Sequence, residues 1–266
     1  MKRTILAAVS ALMLAAPAAH AADMAVKAPP APAPVLSWTG FYGGLNGGYG
    51  WNTSTGDQTC INPGGVVNGP GCWSPLTGTV RPNGGLFGGQ LGYNWQTGPV
   101  VFGLETDIQW SGIKGSGSVA EPCCNPGFAS SIGVFTASSN LDWFGTVRGR
   151  LGVTAGSNAL LYATGGLIYG HEVVSDAVTF GGIVYPASAS SDRAGGIVGG
   201  GIEYAFSPSF SGKIEGLYYD MGSLTDSFTC PAFGTCVLGY TEQTKYSFRG
   251  AIIRGGLNAH FNLGGR

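Results

Sequence analysis

The sequence predicts an all-β protein, an eight-stranded antiparallel transmembrane β-barrel with four long extracellular loops and short periplasmic turns. Three observations lead there. Apolar residues alternate with polar or small ones in eight successive runs, and successive side chains of a strand point to opposite faces, so each run has one greasy and one polar face. The links between runs are alternately long and short. The composition suits lipid better than water: 48 of 266 residues are Gly, 44% are hydrophobic and only 10% are charged, against about a quarter in an ordinary soluble domain.

The same composition excludes other classes. Disorder requires low hydrophobicity and high net charge, whereas the mean hydropathy is +0.17 and the formal charge −1. Collagen requires Gly at every third position, and here Gly falls in pairs and at even spacings. With a pI of about 6.3 and no Lys/Arg cluster longer than two, no nucleic-acid partner is expected.

Lys2 and Arg3 precede an apolar run from Ile5 to Ala16, and Ala19-His20-Ala21 supplies small residues at −3 and −1, so residues 1–21 read as a secretory signal peptide cut between Ala21 and Ala22. A membrane anchor would need about 18 to 20 apolar residues, and Ser10 and Pro17 interrupt this run. Cleavage removes two bases and no acid, leaving 14 acidic against 11 basic residues. Residues 22–37 form a Pro/Ala-rich arm, in which Pro29, Pro30, Pro32 and Pro34 favour an extended, semi-rigid chain. Further on, no stretch is long and apolar enough for a membrane helix.

The barrel domain is expected over residues 38–261. In the first run Phe41, Leu45, Tyr49 and Trp51 oppose Tyr42 and Asn46, and in the second Phe87, Leu91, Tyr93 and Trp95 oppose Gln90, Asn94 and Gln96. The third sets Val100, Phe102, Leu104, Ile108 and Trp110 against Glu105, Asp107 and Gln109. The fourth sets Leu141, Trp143, Val147, Leu151 and Val153 against Asp142, Phe144, Thr146, Arg148 and Arg150. Runs about Ala159 to Gly170, Ala194 to Phe206, Phe210 to Met221 and Tyr246 to Phe261 complete the set, with Glu203, Lys213, Glu215 and Arg254 on polar faces. In the fifth the parity is ambiguous, since Tyr162 and Ile168 compete with Leu161, Leu167 and Tyr169. Each run reaches about 11 residues, enough to cross hydrocarbon when tilted.

Long links fall at 52–82, 112–140, 171–192 and 222–245, and tight ones at 97–99, 154–158 and 207–209. Short turns on one rim and long loops on the other are the pattern of outer-membrane barrels, whose short turns are periplasmic. Hydrocarbon supplies no hydrogen-bond partners, so such strands must close into a ring without edges. An eight-stranded barrel is just wide enough for its own side chains, so Glu105, Asp107, Arg148, Arg150, Glu203, Lys213, Glu215 and Arg254 are expected as an internal polar network. Outward aromatics near the rims, Trp38, Phe41, Trp51, Tyr93, Trp95, Trp110, Trp143, Tyr204 and Phe206, would sit at the headgroup level. A soluble sandwich with reversed faces would leave large apolar patches in water.

Trp38-Thr39-Gly40-Phe41-Tyr42-Gly43-Gly44, Gly103-Leu104-Glu105-Thr106-Asp107, Val147-Arg148-Gly149-Arg150-Leu151-Gly152 and Gly199-Gly200-Gly201-Ile202-Glu203-Tyr204 resemble the small outer-membrane immunogenic proteins of alphaproteobacteria, a porin-family group with an OmpA-like eight-stranded domain. Gly92-Tyr93-Asn94-Trp95-Gln96, Glu215-Gly216-Leu217-Tyr218-Tyr219-Asp220 and Arg254-Gly255-Gly256-Leu257-Asn258 extend the resemblance over nearly the whole exported chain. It implies residence in the outer membrane of a Gram-negative bacterium, surface-exposed loops and a mainly structural role, sometimes with weak porin activity. Two features depart from the family: the tail Asn262-Leu263-Gly264-Gly265-Arg266 after the last aromatic, which bears on insertion, and six loop cysteines.

Cys60, Cys72, Cys123, Cys124, Cys230 and Cys236 all fall in predicted loops. An even set in an exported chain favours disulfides, and 15 pairings are open; Cys60 with Cys72 and Cys230 with Cys236 are the local choice. No His lies near any Cys, so no metal site is expected, nor any cofactor. Gly115-Ser116-Gly117-Ser118-Val119-Ala120 matches a loose dinucleotide pattern but is followed by Pro122 and Pro126 where a helix should start. His171 beside Glu172, Ser175 or Asp176 is the one arrangement that would suit a hydrolase, but adjacency in sequence carries no geometry and no enzyme is expected. The leading reading is a structural barrel supporting envelope integrity and displaying its loops. The alternatives are a narrow diffusion pore gated by Glu105, Asp107, Arg148 and Arg150, and a ligand-binding surface on the loops. Expected partners are outer-membrane lipid, lipopolysaccharide and the barrel-insertion machinery, with the protein a monomer.

Overall fold

The computed structural model describes residues 36–67, 77–122, 132–180, 183–229 and 241–261. The signal segment with its Ala21/Ala22 junction, the arm up to residue 35 and the tail 262–266 lie outside them. Period-two alternation becomes strand throughout: β1 (Gly40–Ile61), β2 (Thr77–Val80), β3 (Asn83–Thr97), β4 (Val100–Pro122), β5 (Ile132–Ala155), β6 (Ala159–Phe180), β7 (Ile183–Ser207), β8 (Phe210–Thr229) and β9 (Thr241–Phe261). All neighbours are antiparallel, and β1 pairs with β9 from Phe41↔Phe261 to Ile61↔Thr241. That pairing closes β1 and β3–β9 into a ring, while the four-residue β2 pairs beside β1 from Ser54↔Val80 to Asp57↔Thr77.

Outward residues form the lipid belt. Leu45, Leu104, Ile214 and Leu257 are 58–67% exposed, a wall that only hydrocarbon can cover. Aromatics bound the belt above and below. Phe41, Tyr93, Trp95, Phe102, Tyr204, Phe206, Phe210 and Phe261 ring the short-turn end, and Tyr49, Trp51, Phe87, Trp110, Trp143, Tyr169 and Tyr218 ring the other. Rings that combine an apolar body with a polar edge favour those two levels.

Three expectations are corrected. The strands run 15–25 residues in the ring, well past the second girdle, so much of the segments read as long loops is strand: β6 reaches Phe180 and β7 begins at Ile183. Cys60 accordingly lies in β1; Cys72, Cys123, Cys124, Cys230 and Cys236 lie outside the described residues. Trp38 is 2% exposed and faces inward, because it precedes the first strand and turns under the barrel mouth. Leu141 is buried and Asp142 exposed, the reverse of their predicted faces, because register shifts between Leu141 and Trp143 and between Trp110 and Ile113 offset the parity of β5 and β4.

Glycine has a packing role in so narrow a ring. A Cβ on Gly166 would strike the Val147 carbonyl and Arg148 Cα, and one on Gly88 would strike the Ile108 carbonyl and the Gln109 amide. Inward glycines thus leave room for the large polar side chains of the next strand. Turns at Gly98 and Gly156 use positive φ of 59° and 69°, which costs glycine little. The Gly115–Ala120 segment is plain strand in β4, with no helix to receive a phosphate.

Candidate functional site: the filled lumen

The inward faces of the ring stack three layers of side chains. At the short-turn end Trp38, Val101, Leu160, Tyr162 and Ala205 form a small apolar cluster. The Trp38 amide donates to Gln96 Oε1 at 2.8 Å and its ring meets His260 edge-on at 5.7 Å, which fixes the segment before β1 across the mouth.

The middle layer is charged. Glu105 and Asp107 on β4, Arg148 and Arg150 on β5, Glu203 on β7, Lys213 and Glu215 on β8 and Arg254 on β9 are each no more than 5% exposed. The barrel brings all eight together. Arg148 donates to Glu105, to Asp107 Oδ2 at 3.0 Å and to Glu215 Oε2 at 3.3 Å. Arg254 meets Glu215 Oε1 at 2.5 Å and Asp107 Oδ2 at 2.8 Å. Lys213 donates to Glu105 Oε2 at 2.8 Å, and Arg150 to Glu203 Oε2 at 2.7 Å. Four acids face four bases, and each carboxylate has at least two cationic or hydroxyl donors. That is the condition under which buried charges are tolerated.

Further inward residues complete the network: Tyr42 and Thr146, which the alternation placed on polar faces without a role, and Tyr162 and Ser211, which it did not place. Tyr42 donates to Glu105 Oε2 at 2.7 Å, Thr146 to Asp107 Oδ2 at 2.7 Å, Tyr162 to Glu215 Oε2 at 3.2 Å and Ser211 to Glu203 Oε1 at 2.6 Å. The Arg150 guanidinium stacks 4.0 Å from the Tyr162 ring centroid. Tyr162 and Ile168 are the inward residues of β6, which resolves its ambiguous parity.

Above the charges lies a third layer absent from the sequence reading. Leu86, Ile113, Leu141, Phe144, Ile168, Val174, Ile197, Leu217, Tyr219, Met221, Tyr246, Phe248 and Ile252 form one buried apolar cluster spanning the ring. Among the described residues a single carboxylate is set in this region. Glu172, three residues beyond the girdle at Tyr169, is 3% exposed. Its Oε1 accepts from Ser139 at 2.8 Å, while Oε2 has no hydrogen-bond partner and stands 3.9 Å from Arg193 Nε. Burial pushes its carboxyl up to about 7 against the opposing pull of Ser139 and Arg193. Arg193 lies over the Phe248 ring at 4.3 Å, and burial lowers its own pKa.

His171 faces the other way from Glu172, as neighbours on a strand must, and its Nδ1 lies 2.8 Å from Asp192 Oδ1 on the outer surface. The arrangement needed for a His171–Glu172 base is therefore not assembled. Among the described residues no group of three His, Cys, Asp or Glu could hold a metal ion.

The chain matches the model of the outer membrane protein beta-barrel domain over residues 4–261. It is 38% identical over 231 residues to the 31 kDa outer-membrane immunogenic protein of Brucella melitensis, covering 84% of this chain and 88% of that one. It is 32% identical over 160 residues to the 22 kDa outer membrane protein of Rhizobium leguminosarum bv. viciae, 59% of this chain and 62% of that one. Among solved structures, the outer membrane protein OprG from Pseudomonas aeruginosa is similar at 13% identity and a TM-score of 0.43, over 84% of this chain and 97% of that one. With a ring of antiparallel strands, an apolar outer wall between two aromatic girdles and a family match over nearly its whole length, the chain belongs to the outer membrane protein beta-barrel domain family and is a Gram-negative outer-membrane β-barrel protein.

Proposed function

We propose that the barrel is a plugged structural element of the outer membrane, which supports envelope integrity and holds its long hairpins out from the cell surface. The observation that carries this reading is the triple filling of the lumen, with Trp38 below, the balanced Glu/Asp/Arg/Lys network in the middle and the apolar cluster above. A lumen closed by buried ion pairs, and closed again by apolar side chains that repel water, serves rigidity better than passage. The ring of backbone pairing has no open edge within the belt, which suits a monomer held by lipid and assembled by the barrel-insertion machinery. No catalytic role is proposed, since His171 diverges from Glu172 on the strand.

A deletion strain tests the envelope role. Higher sensitivity to detergent and to low osmolarity, restored by the gene in trans, is the expected result; unchanged sensitivity would refute it.

One observation favours a second reading, a narrow water-filled pore. Asn46 Oδ1, both side-chain polar atoms of Asn94, Gln109 Oε1, Arg150 Nε and Arg254 Nη1 are buried without partners in the protein. Such atoms bind internal water, and connected waters could conduct. Arg148→Ala and Arg150→Ala would alter the conductance of such a pore and leave a plugged barrel silent.

A further inference from the structure

We infer that the outer wall of the barrel carries a binding site for a phosphate-bearing lipid headgroup, formed by Arg249, Arg81 and Lys114. The inference rests on the proposed orientation, in which the rim opposite the short turns faces the cell exterior, and the ligand class is then the phosphorylated glycolipid of the outer leaflet.

The pairing register sets the three bases side by side. Arg249 on β9 pairs with Thr53 on β1, one step above the Trp51↔Ala251 pair. Arg81 lies between Val80, the partner of Ser54, and Pro82, whose carbonyl accepts the Asn52 N–H at 2.8 Å, so it stands opposite Thr53 on the other side. Lys114 is the β4 partner of Asn83, and the next residue, Gly115, abuts the Arg81–Pro82 backbone. Arg249, Thr53 and Arg81 therefore form a row across adjacent strands spaced about 4.8 Å apart, and Lys114, level with Asn83 on the next strand, is a diagonal neighbour of Arg81 two residues lower.

All four side chains are exposed on the outer face, at the height where the girdle residues Tyr49, Trp51, Phe87 and Trp110 end the apolar belt. Tyr49 itself donates to Asn83 at 2.5 Å, tying the girdle to the base of the row. None of the three bases makes an ion pair among the described residues, although Asp220 is the cross-strand neighbour of Arg249; its Oδ1 accepts from the Gly222 amide at 2.8 Å instead. The rest of the circumference at this level is acidic or neutralised, with Asp142 exposed on β5 and His171 paired to Asp192 across β6 and β7. A headgroup diffusing around the barrel thus meets an excess of positive charge over β9, β1, β3 and β4, where the three bases outnumber Asp220. Each base close to an anionic lipid surface strengthens binding by about fivefold, and a planar guanidinium grips phosphate with paired donors.

The test uses the full chain refolded in detergent, with native mass spectrometry counting retained diphosphorylated lipid A. The combined variant Arg81→Gln/Lys114→Gln/Arg249→Gln is expected to lose affinity on the order of a hundredfold, while Asp192→Asn on β7, across the ring, keeps it. Arg81→Lys/Arg249→Lys should retain most of the binding, which separates charge from folding; heat-dependent electrophoretic mobility checks that each variant is a closed barrel. Equal retention by the triple variant, or equal retention of dephosphorylated lipid A, would overturn the site. Displacement of the lipid by excess inorganic phosphate would overturn its assignment to a lipid in favour of a free anion. Orientation is read separately, from an epitope inserted between residues 181 and 182. Antibody labelling of intact cells supports the outer-leaflet source, and labelling only after permeabilisation overturns it whatever the binding in detergent.

Discussion

Two carboxylates buried in the same lumen, Glu105 and Glu172, are handled in opposite ways. Glu105 sits among Arg148, Lys213, Arg150 and Tyr42, every lone pair answered by a donor. Glu172 has one hydroxyl on one oxygen and a distant guanidinium for the other. The contrast separates what an interior charge can do: matched by opposite charges it cross-links strands β4, β5, β8 and β9, and unmatched it is held in readiness to take up a proton near neutral pH.

The largest expected effect comes from breaking the matched region. Arg148→Met removes the guanidinium shared by Glu105, Asp107 and Glu215 and leaves uncompensated negative charge in a dry lumen. The expected loss is about 3–5 kcal/mol of stability to urea, or failure to refold. Adding Glu215→Gln should recover part of that loss, a double-mutant coupling that independent sites would not show.

Glu172→Gln sharpens the comparison from the other side. Its carboxyl titrates higher in the folded barrel than in the unfolded chain, so it contributes stability below about pH 4.5 that is lost as the pH rises through about 7. The variant should therefore match the wild type near pH 4 and exceed it by about 3 kcal/mol at pH 8. A difference of the same size at both pH values would mean that the carboxylate is solvated or better paired than its surroundings indicate.

The inward glycines give a smaller effect. Gly166→Ala pushes a methyl into the Val147 carbonyl beside Arg148 and should cost about 1–3 kcal/mol. The outward Gly196, where an added Cβ meets nothing within 4 Å, should tolerate Ala with little change in the unfolding midpoint.

Much of this was legible in the sequence because alternation is a strong signal wherever one face meets lipid. Val100 to Trp110 and Val147 to Val153 could be placed residue by residue, and with them the eight charges of the middle layer. The signal weakens where lipid ends. Beyond the girdles, segments such as Gly115–Ala120 and Ser188–Ser191 put Ser, Gly and Ala on both faces, so parity no longer distinguishes strand from loop. The apolar layer was missed for a related reason: Phe248 and Ile252 lie on the parity of Arg254, and only the folded ring shows that Leu217 pairs beside Ile252 and that Phe144 and Ile113 join the same cluster. Trp38 was misplaced because alternation says nothing about a residue that precedes its strand. Asp142 was misplaced by a bulge, a one-residue change in phase that composition does not mark. Glu172 was considered only as a neighbour of His171; its place on the inward parity beside Val174 and Ile168 was the available clue.

The central claim, that the lumen is filled and closed, is tested most directly by single-channel recording of the refolded barrel in planar bilayers, after its heat-dependent mobility shows a closed ring. The filled lumen predicts no current steps from the wild type at any moderate voltage, and none from a variant combining Trp38→Ala with Phe248→Ala, in which the charged layer still closes the ring. Reproducible wild-type steps whose size changes with Arg148→Ala would contradict it and show ions passing through the charged layer.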